Sequence, residues 1–371
     1  MQGRGCGVVV TLGQGDDENA RSHETVTRRE IARRLATLKG YSFEGEFDPD
    51  RAYPGHCYFV PADTVIGRDA AAGVGIHDEN DLYGAVVPHR FMAVKTITHP
   101  VLDEHAHAPQ AWCHGFCNEV RDAVLAGFAA FHRHDARRAT AMMLQRGPVR
   151  IKRASGIGGQ GQFVVESISE LDAVLEVIDD AELESLGLVV EENLHGVVTH
   201  SVGRVEVDGL VASYCGTQRL TVNHRGVDVY GGSTLLVVRG DFDTLLALSL
   251  PAETRRAIDR ARRYDAAALE HFEGMYASRR NYDVACGSNE RGEERCGVLE
   301  QSWRMGGASG AEIGALQAFR DDPQLGIVRA SSTEIYGECV PPPEAIIYFR
   351  DVDERVGMLT KYTVVERHAY P

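Results

Sequence analysis

The segment Val149-Arg-Ile-Lys152-Arg-Ala-Ser-Gly156-Ile-Gly158-Gly159-Gln-Gly161-Gln-Phe-Val-Val165 narrows the architecture more than any other stretch of the chain. Residues 149–152 read as a strand ending in Lys152, and 162–166 as the strand that returns. Glycines between them let backbone N–H groups close around an anion, and the lysine adds a mobile positive charge. By letter, Gly156-x-Gly158-x-x-Gly161 also matches a dinucleotide fingerprint. That fingerprint needs a helix to begin inside the glycine turn, so that its N-terminus meets the pyrophosphate. Gln-Phe-Val-Val-Glu follows here and reads as a strand, which excludes that arrangement. What remains is a phosphate-cradling hairpin or a glycine hairpin without a ligand.

Two further blocks follow in order. In Gly187-Leu-Val-Val-Glu191-Glu192-Asn-Leu194 a buried-type strand runs into two carboxylates and an apolar residue. Backbone groups at such an exit can read the edge of a base while apolar side chains cover its faces. In the second block, Asn281-Tyr-Asp283 and Glu300-Gln-Ser302-Trp-Arg304 flank a polar turn. As two strands of a hairpin they can aim Asp283 and Glu300 into one site, the hard oxygen set that Mg²⁺ requires, with Ser302 beside them. Arg304 can stabilise a transferring phosphoryl group. Ser309-Gly-Ala-Glu312 reads as a capping box whose helix N-terminus would suit a carboxylate or acyl phosphate.

The rest of the chain reads as α/β. We expect strands at Gly7–Leu12, 57–60 and Ala85–Val87, and helices near 25–38, 119–132 and 135–144. The helix near 119–132 rests on Val120, Val124, Leu125, Phe128 and Phe131 at helical spacing. A capped helix begins at Ser167, strands continue through 197–214 and 235–238, and a long helix spans 252–272 before Gly274. The tail, 346–349 and 358–365, reads as a last hairpin.

In order and spacing, the three blocks resemble the ATP-grasp superfamily, over about residues 135–330. Residues 149–165 are especially similar to the loop of biotin carboxylase, and Cys215-Gly-Thr-Gln218-Arg219 resembles a segment of the same enzyme. The whole chain also resembles an uncharacterised bacterial family, a domain of unknown function. The resemblance implies an ATP-grasp fold, two α+β lobes clasping ATP, preceded by an N-terminal α/β domain. It divides the chain into 1–134, a small lobe 135–196 and a large lobe 197–371. By position it assigns Lys152 to the phosphates and Gly158, Gly159 and Gly161 to the lid. Glu191, Glu192 and Leu194 would hold adenosine, with Gln218 at ribose or phosphate. Asp283, Glu300 and Ser302 would bind Mg²⁺ or Mn²⁺, and Arg304, with Lys152, would act in catalysis. Ser302 stands where the superfamily usually has Asn, and Val198 and Thr199 stand where it often has an acid for ribose. Thr221 and Asn223 replace the basic residues of a carboxylase, which argues against carboxylation. Lys95 and Arg138 are both candidates for a second phosphate-binding base.

Net charge is 39 − 54 = −15, which disfavours nucleic acid and anionic membranes as partners. No apolar run is long enough to span a membrane, so we expect a cytoplasmic protein. Its eight cysteines should then be mostly reduced. The stretch His99, His105, His107, Cys113, His114, Cys117 is either a zinc site or a polar loop entering a helix. The resemblance implies a ligase joining a small-molecule carboxylate to an amine or other nucleophile through an acyl phosphate, a homodimer being compatible with it. The competing reading is a nucleotide-binding or regulatory protein of the same fold without turnover.

Overall fold

The structure, a computed structural model, describes residues 7–13, 20–156 and 161–367. Among them the strands form four sheets. The first is parallel: Gly7–Leu12 lies between Ser42–Glu46 and His56–Pro61. Its middle strand is a buried Val-Val-Val run, as parallel sheets require. Helix His23–Lys39 covers it, with Ser22 capping the Thr25 N–H and Gly40 closing the other end in left-handed conformation.

The second sheet is small and ties Ala85–Val87 to Tyr276–Ala277 and Val65–Ile66. The third is antiparallel, in the order Gly127–Ala130, Leu188–Glu192, Val149–Arg153, Gln162–Val165. Helices Arg133–Met143 and Ile168–Glu176 bury Ala136, Ala139, Leu171 and Leu175 against it.

The fourth sheet has eight strands. Its edge is the hairpin Arg279–Ser288 and Glu294–Ser302, followed by His195–Val207, Leu210–Val222 and Asp228–Arg239. Strand alternation sends Val202, Cys215, Tyr282, Val284 and Cys286 to one face, under helix Ala252–His271. Val205, Tyr214 and Leu235 go to the other, under Ser309–Asp321 and His23–Lys39. Ile327–Tyr336 and the tail hairpin Ile346–Asp353 and Gly357–Glu366 complete the sheet.

Two expectations are corrected. The helix near 119–132 is absent: His114–Glu119 is a short helix, and Gly127–Ala130 is a strand paired with Leu188–Glu191. Gly127 lies against Val190 and Glu191 so closely that a Cβ there would meet the Val190 carbonyl at 2.7 Å. Helical spacing over a short apolar run lost to this pairing. Ser309 is no cap either. Ala308 precedes the helix, Ser309 Oγ accepts from the Gly306 N–H, and Glu312 turns into the core. Among the described residues Cys57, Cys113, Cys117, Cys215 and Cys339 are free thiols, in keeping with mostly reduced cysteines, and Cys286 and Cys296 are joined as a disulfide. No helix among the described residues is long and apolar enough to cross a membrane.

Candidate active site

The glycine-loop hairpin behaves as its sequence demands. Val149–Arg153 pairs antiparallel with Gln162–Val165, and Gly161 takes φ +71°, which a side chain disfavours. Gly158 and Gly159 lie outside the described residues. Lys152 is buried and forms an ion pair with Glu191 of the adjacent strand Leu188–Glu192. His99 Nε2 lies 3.1 Å from the other Glu191 oxygen. Burial opposes ionisation of Glu191, but Lys152 and His99 outweigh it and hold its carboxyl at about 2. Lys152 is therefore a poised buried cation, ionically matched by one carboxylate.

Glu192 reaches the other way: it accepts from the Ala126 N–H at 3.1 Å and lies 3.4 Å from Arg295. Leu194 is buried with Leu125 and Ala285, and Leu299 packs on them.

On the edge hairpin of the large sheet, Asp283 and Glu300 are direct cross-strand partners, next to a register shift. Gln218 donates to Asp283 Oδ1 at 2.7 Å and Asn281 at 3.1 Å. Burial pushes the Asp283 carboxyl up to about 6, and Glu300 adds to the rise against those two amides. Two oxygen acids, one desolvated and short of cationic partners, fit a hard divalent ion. Ser302 Oγ accepts from Arg279 at 3.3 Å. Arg279 also donates to the Ser302 and Arg304 carbonyls, so it props the strand end that carries the block. It is held in turn by Glu312, which also receives Tyr83 and Tyr214 hydroxyls. The Arg304 side chain points to Asp63, 3.6 Å away.

Lys95 connects the two halves. From the short helical turn Lys95–Thr98, its Nζ donates to the Gly156 carbonyl at 2.6 Å and lies 2.6 Å from Glu300. Gln301, beside Glu300, donates to the Met92 and Val94 carbonyls and so fixes the turn. Arg138, the rival base, is bound to Asp103 and Asp135. His99 ends the same short segment as Lys95. The His/Cys stretch does not gather: His99 is buried on Glu191, Cys113 caps the helix His114–Glu119, and His105 is exposed. Sequence reading missed His99, Arg279 and Asn281 as parts of this site. The polar run Arg279-Arg280-Asn281, fully buried inside a strand, was the available signal.

A model of a protein family of unknown function, DUF3182, matches residues 10–363. The chain belongs to this family. No curated protein matches the sequence. This DUF3182 member is similar in structure to biotin carboxylase from Campylobacter jejuni, in complex with β-γ-ATP. The TM-score is 0.53 at 11% identity, over 96% of this chain and 87% of that one. N5-carboxyaminoimidazole synthetase from Staphylococcus aureus, complexed with ADP, gives TM-score 0.51 at 13% identity, over 96% and 92%. Phosphoribosylamine–glycine ligase from Thermotoga maritima gives 0.50 at 14%, over 98% and 93%. The fold of the chain is the ATP-grasp fold.

Proposed function

We propose that the chain is an ATP- and Mg²⁺-dependent ligase that activates a carboxylate as its acyl phosphate and passes the acyl group to an amine or another nucleophile. The observation that carries this reading is Lys95, bonded at once to the glycine-loop carbonyl of Gly156 and to Glu300. Loop, cation and acid pair converge there, as phosphoryl transfer needs.

In this reading Lys152 and Lys95 would neutralise the phosphates beneath the glycine lid. The Glu191 carboxylate is committed to Lys152 and His99, so it would serve adenine through its backbone, with Glu192 beside it. Leu194 would cover the ring. Asp283 and Glu300 would hold Mg²⁺ (or Mn²⁺), which would carry phosphate charge through the transfer. Gln218, bonded to Asp283, would orient that ligand. Arg304 would turn from Asp63 to the transferring group. The substrate carboxylate attacks the terminal phosphorus, ADP leaves, and the nucleophile then displaces phosphate from the acyl carbon.

A second reading, a nucleotide-binding protein without turnover, draws on Ser302, whose hydroxyl is engaged by Arg279. The discriminating experiment is ADP and phosphate release across a panel of small carboxylates with and without amines. The ligase reading expects release in at least one pairing, abolished in D283A and E300A. Release that survives in both variants sinks this mechanism, and nucleotide binding without release in any pairing favours the second reading.

A further inference from the structure

We propose that Cys286, Cys296, His200 and Glu253 form a second metal site, for a thiophilic divalent cation such as zinc, once the two cysteines are reduced. The site is separate from the oxygen-lined pair Asp283 and Glu300.

Strand register assembles it. Cys286 and Cys296 are cross-strand partners on the edge hairpin, with Cα atoms 4.2 Å apart. Strand His195–Val207 places His200 opposite Val284, two positions from Cys286 and hence on the same face. That face is the one covered by helix Ala252–His271, whose first turn supplies Glu253. One ring nitrogen of His200, one Glu253 oxygen and Cys286 Sγ all lie within 4.8 Å of one another. Cys296 Sγ is bonded to Cys286 Sγ and so lies next to that group.

An independent observation points to a ligand. His200 is only 3% accessible. Its Nε2 lies 2.9 Å from Glu253 Oε1, but its Nδ1 is buried with no hydrogen-bond partner among the described residues. A buried ring nitrogen without a partner is costly, and a cation bound on that nitrogen would relieve it. The Glu253 side chain is 45% accessible, which leaves the site a mouth.

The donor set selects the metal. Two thiolates, an imidazole and a carboxylate suit tetrahedral zinc and reject magnesium, whereas Asp283 and Glu300 offer only hard oxygens. Asp283 lies on the sheet's opposite face, with Asn281 and Tyr214. The second metal would therefore clamp the hairpin to the helix from behind, without touching the nucleotide side.

The Cys286–Cys296 disulfide closes the site. A dithiol reductant supplies two electrons and two protons, leaving two thiols here and a disulfide on itself. The incoming cation then displaces the thiol protons.

The test uses the full chain, reduced, freed of reductant under anaerobic conditions and titrated with Co²⁺ as a spectroscopic probe. One equivalent should raise thiolate-to-cobalt charge-transfer bands, and Zn²⁺ should bleach them. The bands should vanish in C286S and C296S, weaken in affinity by about 10–100-fold in E253Q, and persist in D283N. Three results would overturn the proposal. One is a reduced wild-type chain without these bands, which needs no variant to read. Another is bands that survive both serine substitutions, which would assign them to other thiols. The third is a pair that stays oxidised under excess dithiol.

Discussion

Lys95 Nζ lies 2.6 Å from Glu300 Oε2, on a side chain only 6% accessible to solvent. The same nitrogen holds the Gly156 carbonyl. A lysine therefore stands against one of the two acids that would otherwise face each other across the hairpin. Removing it should expose the repulsion between Asp283 and Glu300. We expect K95M to lower the stability of the metal-free chain by about 1–2 kcal/mol, Glu300 being partly screened by solvent. Added Mg²⁺ should recover much of that loss. Thermal unfolding with and without Mg²⁺ measures both; a K95M loss that Mg²⁺ leaves unchanged would contradict the shared site.

Glu191 carries a pH signature. Its carboxyl is held at about 2, below its ordinary 4.5. A depressed acid contributes stability above its unfolded value, and that contribution is lost as pH falls through the folded one. E191Q leaves Lys152 buried without its counter-charge, which should cost about 3–5 kcal/mol near neutrality. The gap between wild type and E191Q should hold above pH 4.5 and shrink steadily toward pH 2. Denaturant unfolding across that window checks the shape as well as the size.

Arg279 and Glu312 are both fully buried and paired, with Tyr83 and Tyr214 on the carboxylate. Burial opposes the charge on Glu312, but Arg279 and the hydroxyls overcome it and keep its carboxyl below its ordinary value. E312L or R279M alone should destabilise by about 3–5 kcal/mol, and the double variant by less than the sum. R279M should also loosen Ser302 and Arg304, whose carbonyls Arg279 holds. We therefore expect it to weaken Mg²⁺-dependent nucleotide binding beyond what E312L does. Equal effects from the two would assign Arg279 a purely structural part.

Much of the fold was legible because local signals agreed. The glycine hairpin, the capped helix at Ser167 and the edge hairpin carrying Asp283 and Glu300 each combine strand or helix period with matching turn residues. The strand Gly127–Ala130 was not legible: its apolar residues fit a helix, and only its partner Leu188–Glu192 decides the matter. Glu312 misled for a similar reason. Three residues after a serine it looks like a cap, yet Arg279 and two tyrosines from distant segments draw it into the core. That Lys95 lies against Glu300 while Arg138 lies against Asp103 is likewise a matter of contacts that no local pattern encodes.

Calorimetric titration of ATP into wild type and K152A, with and without Mg²⁺, tests the central claim most directly. The account predicts Mg²⁺-dependent binding by the wild type and its loss in K152A, with K152A still folded by circular dichroism. A folded wild-type chain that binds no ATP in either condition would contradict it, and would leave the glycine hairpin as structure alone.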